Sequence, residues 1–146
     1  MKNHFANFSL PVNFHVDLDA LEQKYFEFQK NFHPDKSGDI EHSIAVNEAY
    51  EIIKNPLKRA AHILQLNGID IENDEVAPKV DSATLLEVFE MRESNNFNAK
   101  DLSQKIKSLL DEVASNLENQ DFKTASQILI RAKYFEKARQ DLKVVS

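Results

Sequence analysis

An all-α fold in two small units is the architecture this sequence predicts, on three observations. Breakers are scarce, with two glycines and four prolines among 146 residues, so long stretches run free to stay helical. Apolar residues recur at spacings of three and four along most of the chain, the mark of amphipathic helices. One aperiodic acidic stretch, "IDIENDEVAPKV" at 69–80, interrupts them with Asp70, Glu72, Asp74 and Glu75 ahead of Pro78. It divides the chain into residues 1–67, an acidic linker over 68–79, and residues 80–146.

The first unit opens on a short apolar lead-in and then a helix. Asp17 or Asp19 can cap it, with Glu22 in the first turn to complement the dipole. Leu18, Leu21, Tyr25, Phe28 and Phe32 mark one apolar face. Pro34 ends the helix, because its ring fixes φ and drives His33 out of the α region. A second helix follows, with Ile44, Asn47, Ala49, Tyr50 and Ile53 near one face and a break expected at Asn55-Pro56. Leu57, Ala60, Ala61 and Leu64 resume the pattern until Asn67-Gly68 stops it.

The second unit reads as three helices joined by short polar links, Asn96 to Asn98 and Asn119-Gln120-Asp121. That is the pattern of an antiparallel three-helix bundle. The middle helix is the clearest, with Leu102, Ile106, Leu109, Leu110, Val113 and Leu117 on one stripe. In the last, Phe122, Ala125, Leu129, Ala132, Phe135 and Leu142 form the expected core stripe, while Ile130 and Tyr134 fall off it. The first is too apolar for one core. Leu85, Leu86 and Phe89 cover one sector and Val88 and Met91 another. Together they span about 220°, against the roughly 100° that a helix facing a single core requires. Either both sectors are buried or one of them meets a partner.

Composition narrows the function. The net charge of −6, from 24 acidic and 18 basic residues, disfavours wholesale binding to nucleic acid or an anionic membrane. The chain has no cysteine, so it offers no disulfide, no thiolate metal site, no cysteine nucleophile and no thiolate for an iron–sulfur cluster. No run approaches a signal peptide or a membrane span. A cytoplasmic protein without a cofactor of its own is expected.

The segment "FHPDKSG" at 32–38 places His33 beside Asp35, an acid–base pair in principle. A hydrolase built on them lacks an activated nucleophile, since Ser37 is adjacent and has no oxyanion-hole signature. A metal site from His33, Asp35, Asp39 and His42 lacks a recognised ligand spacing. A plain turn is the third alternative.

The flanks of that segment are more specific. Tyr25, Phe28 and "FHPDK" on one side, with "NEAYEII", Pro56 and "KRAA" on the other, make residues 5–66 resemble a J domain. That module stimulates ATP hydrolysis by DnaK-class chaperones. The resemblance implies a helical hairpin whose His33-Pro34-Asp35 loop, with Lys24 and Lys30 on the preceding helix, docks on the chaperone. Proline limits the conformers lost on docking, and the Asp35 carboxylate can accept charge-assisted hydrogen bonds from a partner arginine. Several features depart from most J domains: Phe26 and Glu27 stand where basic residues are common, Phe32 replaces a tyrosine, and the connection to "NEAY" is about one helical turn short.

Those departures and the second half point to one branch. "NPLKRAAHILQLNGIDI", "ATLLEVFEMRESN" and "YFEKARQDL" closely resemble the HscB family, the J-type co-chaperones of iron–sulfur cluster assembly. The resemblance implies two partners, an HscA-type chaperone and an IscU-type scaffold protein. It implies scaffold contacts at Leu85, Leu86, Phe89, Glu90, Arg92, Glu93 and Tyr134, with Phe89 and Tyr134 replacing the usual family residues. The chain would itself make and break no bond. A J-protein serving a different client is the nearest competing reading.

Overall fold

A computed structural model of the chain describes residues 2–32, 39–94 and 97–145, with side chains as far as 142. The described residues are helical, without a strand, and divide into two compact units, Met1–Leu66 and Asn67–Ser146.

The first unit holds a 3-10 turn (Ala6–Phe8) and helices α1 (Leu18–Lys30), α2 (Asp39–Lys54) and α3 (Pro56–Leu66). The Asp17 carboxylate starts α1 by accepting the Ala20 amide at 3.1 Å, the expected cap. α1 and α2 run antiparallel. Tyr25 stacks on Tyr50 with ring centroids 4.0 Å apart and 9° between planes, and bonds Asn47 through its hydroxyl. One turn further along α1, Phe28 meets the edge of His42, near the start of α2.

At the expected break the chain restarts as a new helix. Pro56 has no amide proton to leave unpaired, and the Asn55 side chain accepts the Leu57 and Lys58 amides at 3.0 and 3.2 Å. α3 ends at Leu66, and Gly68 follows at φ +86°, a left-handed position that suits glycine after a helix.

The core of this unit is Phe5, Phe8, Leu21, Val46, Ala49, Ile53, Ala60, Ile63 and Leu64. Three expected positions differ. Leu18 is 49% exposed on α1, and Ile44 is 62% exposed on α2. Val46 takes the inward place with Ala49 and Ile53, which fixes Ile44 about 200° away around the helix. Asn47 is exposed as well, and its use is the bond from Tyr25.

The second unit begins with residues 67–79, a run of turns in which Asp70 and Asn73 accept the amides of Glu72 and Glu75. These residues group with the second unit. Ile71 is buried and Glu72 pairs with Lys133 at 2.9 Å. Helices α4 (Ser82–Glu93), α5 (Ala99–Glu118) and α6 (Phe122–Val145) follow.

Asn98 caps α5 through the Asp101 amide. The stripe from Leu102 to Leu117 is buried throughout. A three-residue turn, with Gln120 at φ +60°, returns the chain antiparallel along α5 as α6. α4 lies beside α6 and parallel to it, because Thr84 and Glu87 meet Arg131 while Arg92 meets Asp141. α6 therefore has helices on two sides. This explains Ile130, which lies off the expected stripe yet is buried.

Candidate partner-binding surfaces

The first candidate surface follows α1. His33, Pro34 and Asp35 lie outside the described residues. In the sequence they fall between α1 and α2, three to five residues beyond Lys30 and ahead of Asp39. Lys30 is exposed in the last turn of α1. Phe26, one turn earlier, is 55% exposed. Lys24, also exposed, donates from Nζ to the Phe8 carbonyl at 2.8 Å. The ammonium thus fastens the N-terminal segment to α1, a role that the spacing of basic residues did not suggest.

The second surface is built by α4. The Asp81 side chain accepts the Thr84 amide at 2.8 Å and sets the start of the helix. Hydrogen bonds from the Thr84 hydroxyl and amide hold the Asp81 carboxyl below the usual carboxylate range, with the Arg131 charge acting in the same direction. Thr84 and Val88, one turn apart, are buried toward α6. That register leaves Leu85, Leu86 and Phe89 outward, at 47%, 57% and 59% exposure.

Three large apolar side chains side by side in solvent form a patch, whereas scattered single ones are ordinary. Glu90, Arg92 and Glu93 are exposed around it, a polar rim to an apolar centre. Arg92 is drawn to one side by a 2.8 Å ion pair with Asp141.

Tyr134 is 38% exposed on α6. On a wheel of about 100° per residue it falls between Arg131 and Asp141, the two α6 residues that bond α4. It therefore stands on the α4 side of α6. Of the residues expected to bind a scaffold, the structure groups Leu85, Leu86 and Phe89 most closely, with Tyr134 on the adjoining helix.

Sequence reasoning missed the residues beneath this surface. Glu87 pairs with Lys105 of α5 at 2.9 Å and with Arg131 of α6 at 3.8 Å, so one carboxylate ties α4 to both neighbours. Nothing in the sequence distinguishes Glu87 or Arg131 from other helix-surface charges. Among the described residues, no group of three or more His, Cys, Asp or Glu could hold a metal ion. No described helix is long and apolar enough to cross a membrane.

Comparison with known proteins is consistent with this geometry. Residues 97–143, which span α5 and most of α6, match the family model described as the HSCB C-terminal oligomerisation domain. The co-chaperone protein HscB of Buchnera aphidicola (subspecies Acyrthosiphon pisum, strain 5A) is 30% identical, over 97% of this chain and 93% of its own length. The HscB homolog of Aliivibrio salmonicida is 29% identical, over 96% and 94%. The crystal structure of human co-chaperone protein HscB superposes with a TM-score of 0.85 at 26% identity, covering 99% of this chain and 82% of that one. A match along both units, in sequence and in fold, has one reading: this chain belongs to the HscB family of J-type co-chaperones of iron–sulfur cluster assembly.

Proposed function

We propose that this protein carries an IscU-type scaffold protein on the α4 face to an HscA-type, DnaK-class chaperone and stimulates the chaperone's ATP hydrolysis. The observation that carries the reading is α4 itself, a helix with Thr84 and Val88 buried and Leu85, Leu86 and Phe89 exposed. Covering a large apolar side chain fully is worth about 1.5–3 kcal/mol. Each of the three is already half covered, so the patch offers roughly half of that per residue. Such a patch suits a partner held long enough to be delivered and then released.

On this reading His33, Pro34 and Asp35, with Lys30, form the chaperone contact. Lys24 supports that contact by holding the N-terminal segment against α1. The chain's own contribution is binding, orientation and a shift in the partner's conformational equilibrium; the ATP chemistry belongs to the chaperone. Cytoplasmic delivery of a scaffold accounts for the pairing of the two surfaces in one chain.

The test is steady-state ATPase turnover by an HscA-type chaperone with this protein, with and without an IscU-type scaffold. Stimulation that rises further with scaffold is expected. Asp35→Asn should abolish the stimulation with helicity intact. Leu85→Ser with Phe89→Ser should abolish only the part that depends on scaffold. An intact protein that leaves turnover unchanged defeats the proposal. Retention of a different client on the α4 face would reassign the client alone, and turnover by this chain without a chaperone would revive a His33/Asp35 hydrolase.

A further inference from the structure

We infer that the N-terminal segment of the first unit is an acid-sensitive latch, held closed by the hydrogen bond from the His4 backbone amide to the His62 ring. The His4 N–H donates to His62 Nε2 at 3.0 Å, across 58 residues of sequence. That nitrogen must carry a lone pair, so His62 is neutral in the closed state with its proton on Nδ1. A second proton at Nε2 would turn the acceptor into a donor facing another donor. The bond cannot survive it.

The surroundings make that proton consequential. His62 and His4 are 4% and 6% exposed, and their rings lie 4.6 Å apart. Phe5, fully buried, also stacks on His62 at 5.8 Å and 20°. His4 Nδ1 has no hydrogen-bond partner among the described residues, so no hydrogen bond rewards a proton there. Two imidazolium ions this close, out of water, would repel each other.

The groups that face the pair are few. Lys2 and the α2 residue Glu48 act on His4 with opposite sign and pair with each other at 3.7 Å. His62 is faced by His4 and by the Gln65 side chain, which accepts a hydrogen bond from the ring and favours its charged form. Burial outweighs them and holds both imidazoles below the usual histidine range.

The sign follows from linkage. Open or unfolded chains take up protons at the ordinary histidine value, near 6.5, before the closed state does. Closure is therefore favoured in full above that value and weakens as the pH falls below it. The first element to leave is the segment that His62 holds. Phe5 would leave with it, and with Phe5 the carbonyl that accepts the Phe8 and Leu10 amides at 3.1 and 3.0 Å.

Amide hydrogen exchange on the full chain, followed by NMR between about pH 7.5 and about pH 5, tests the latch. Protection factors at His4, Phe8 and Leu10 should fall, by up to roughly tenfold per pH unit for one proton. Those at Ala49 and Ile53 in α2 should hold. His62→Gln supplies an uncharged acceptor in the same place and should remove the pH dependence. Unchanged protection at His4 overturns the inference, as does equal loss at Ala49 and Ile53, or the same loss in His62→Gln. Should His62→Gln fail to fold, ring titration of the natural protein decides. A His62 ring that titrates at or above the ordinary histidine value defeats the latch.

Discussion

Arg131 on α6 donates its Nε–H to the Thr84 hydroxyl on α4 at 3.0 Å, and Thr84 is only 1% exposed. The same hydroxyl bonds the Asp81 carboxylate, whose oxygen also accepts the Thr84 amide. One buried threonine thus joins the helix cap of α4 to the helix beneath it. Arg131→Met should lower stability by about 1–2 kcal/mol, the range for a partly buried hydrogen bond to a charged donor. Thr84→Val should cost less in the Arg131→Met background than in the natural protein. Urea unfolding of the double-mutant cycle measures this, and strict additivity would show that the bond carries no weight.

The Asp81 cap has a pH dependence of the same sign as that of the histidine pair, in a more acidic window. Its carboxyl lies below the usual range in the fold, so the unfolded chain takes the proton first as acid is added. The cap's contribution is full above the unfolded aspartate value, near 4, and is lost as the pH falls through the lower folded one. Asp81→Asn keeps a capping oxygen without a titrating group. The stability gap between the two proteins should hold down to about pH 5 and narrow from there to about pH 3. A gap constant across that window would mean that the carboxylate charge is irrelevant to the cap.

The two faces of α4 should separate stability from binding. Val88 is buried and Phe89 exposed. Val88→Ala should cost about 1–2 kcal/mol through the cavity it leaves. Leu85→Ser and Phe89→Ser, on the wet face, should stay within about 0.5 kcal/mol of the natural protein. Scaffold retention in a pull-down should follow the reverse order. Loss of thermal stability in Phe89→Ser as large as in Val88→Ala would identify the outer face as core.

Much of this arrangement was legible because helices announce themselves through period and punctuation. The α5 stripe is buried residue for residue, and Asp17, Asn55-Pro56, Gly68 and Asn98 act where their chemistry predicts. The excess apolar arc of α4 left open whether both sectors are buried; Val88 is buried, while Leu85, Leu86 and Phe89 are exposed. Periodicity failed where apolar character and burial part company. Ile44 scored as core because it is apolar, whereas Val46 is the buried residue. His4, Arg59 and His62 are buried and polar, and a pattern that counts only apolar residues passes over them. The packing of α6 against two helices, which buries Ile130, is a tertiary fact with no local signature.

Arg59 is the largest of those omissions. It is 7% exposed, donates from Nη1 to the Ile53 carbonyl at 2.7 Å, and lays its guanidinium 4.7 Å from the centre of the Phe14 ring. The Ile53 carbonyl is one of the last in α2, where no amide of the same helix remains to satisfy it. Arg59 closes that end from the next helix, and holds the lead-in to α1 through Phe14. Burial lowers its pKa below the usual arginine value, which still leaves it charged at neutral pH. Arg59→Met retains much of the stem but orphans the carbonyl, and should destabilise the first unit by about 2–3 kcal/mol. Arg59→Lys keeps the charge and one donor yet cannot stack flat on the ring, and should recover only part of the loss. Phe14→Leu, which removes the ring and leaves the carbonyl bond in place, should cost about 1 kcal/mol. Chemical denaturation of the three variants ranks the contributions: a Phe14→Leu cost equal to that of Arg59→Met would mean that the ring contact, rather than the helix end, is what Arg59 is buried to serve.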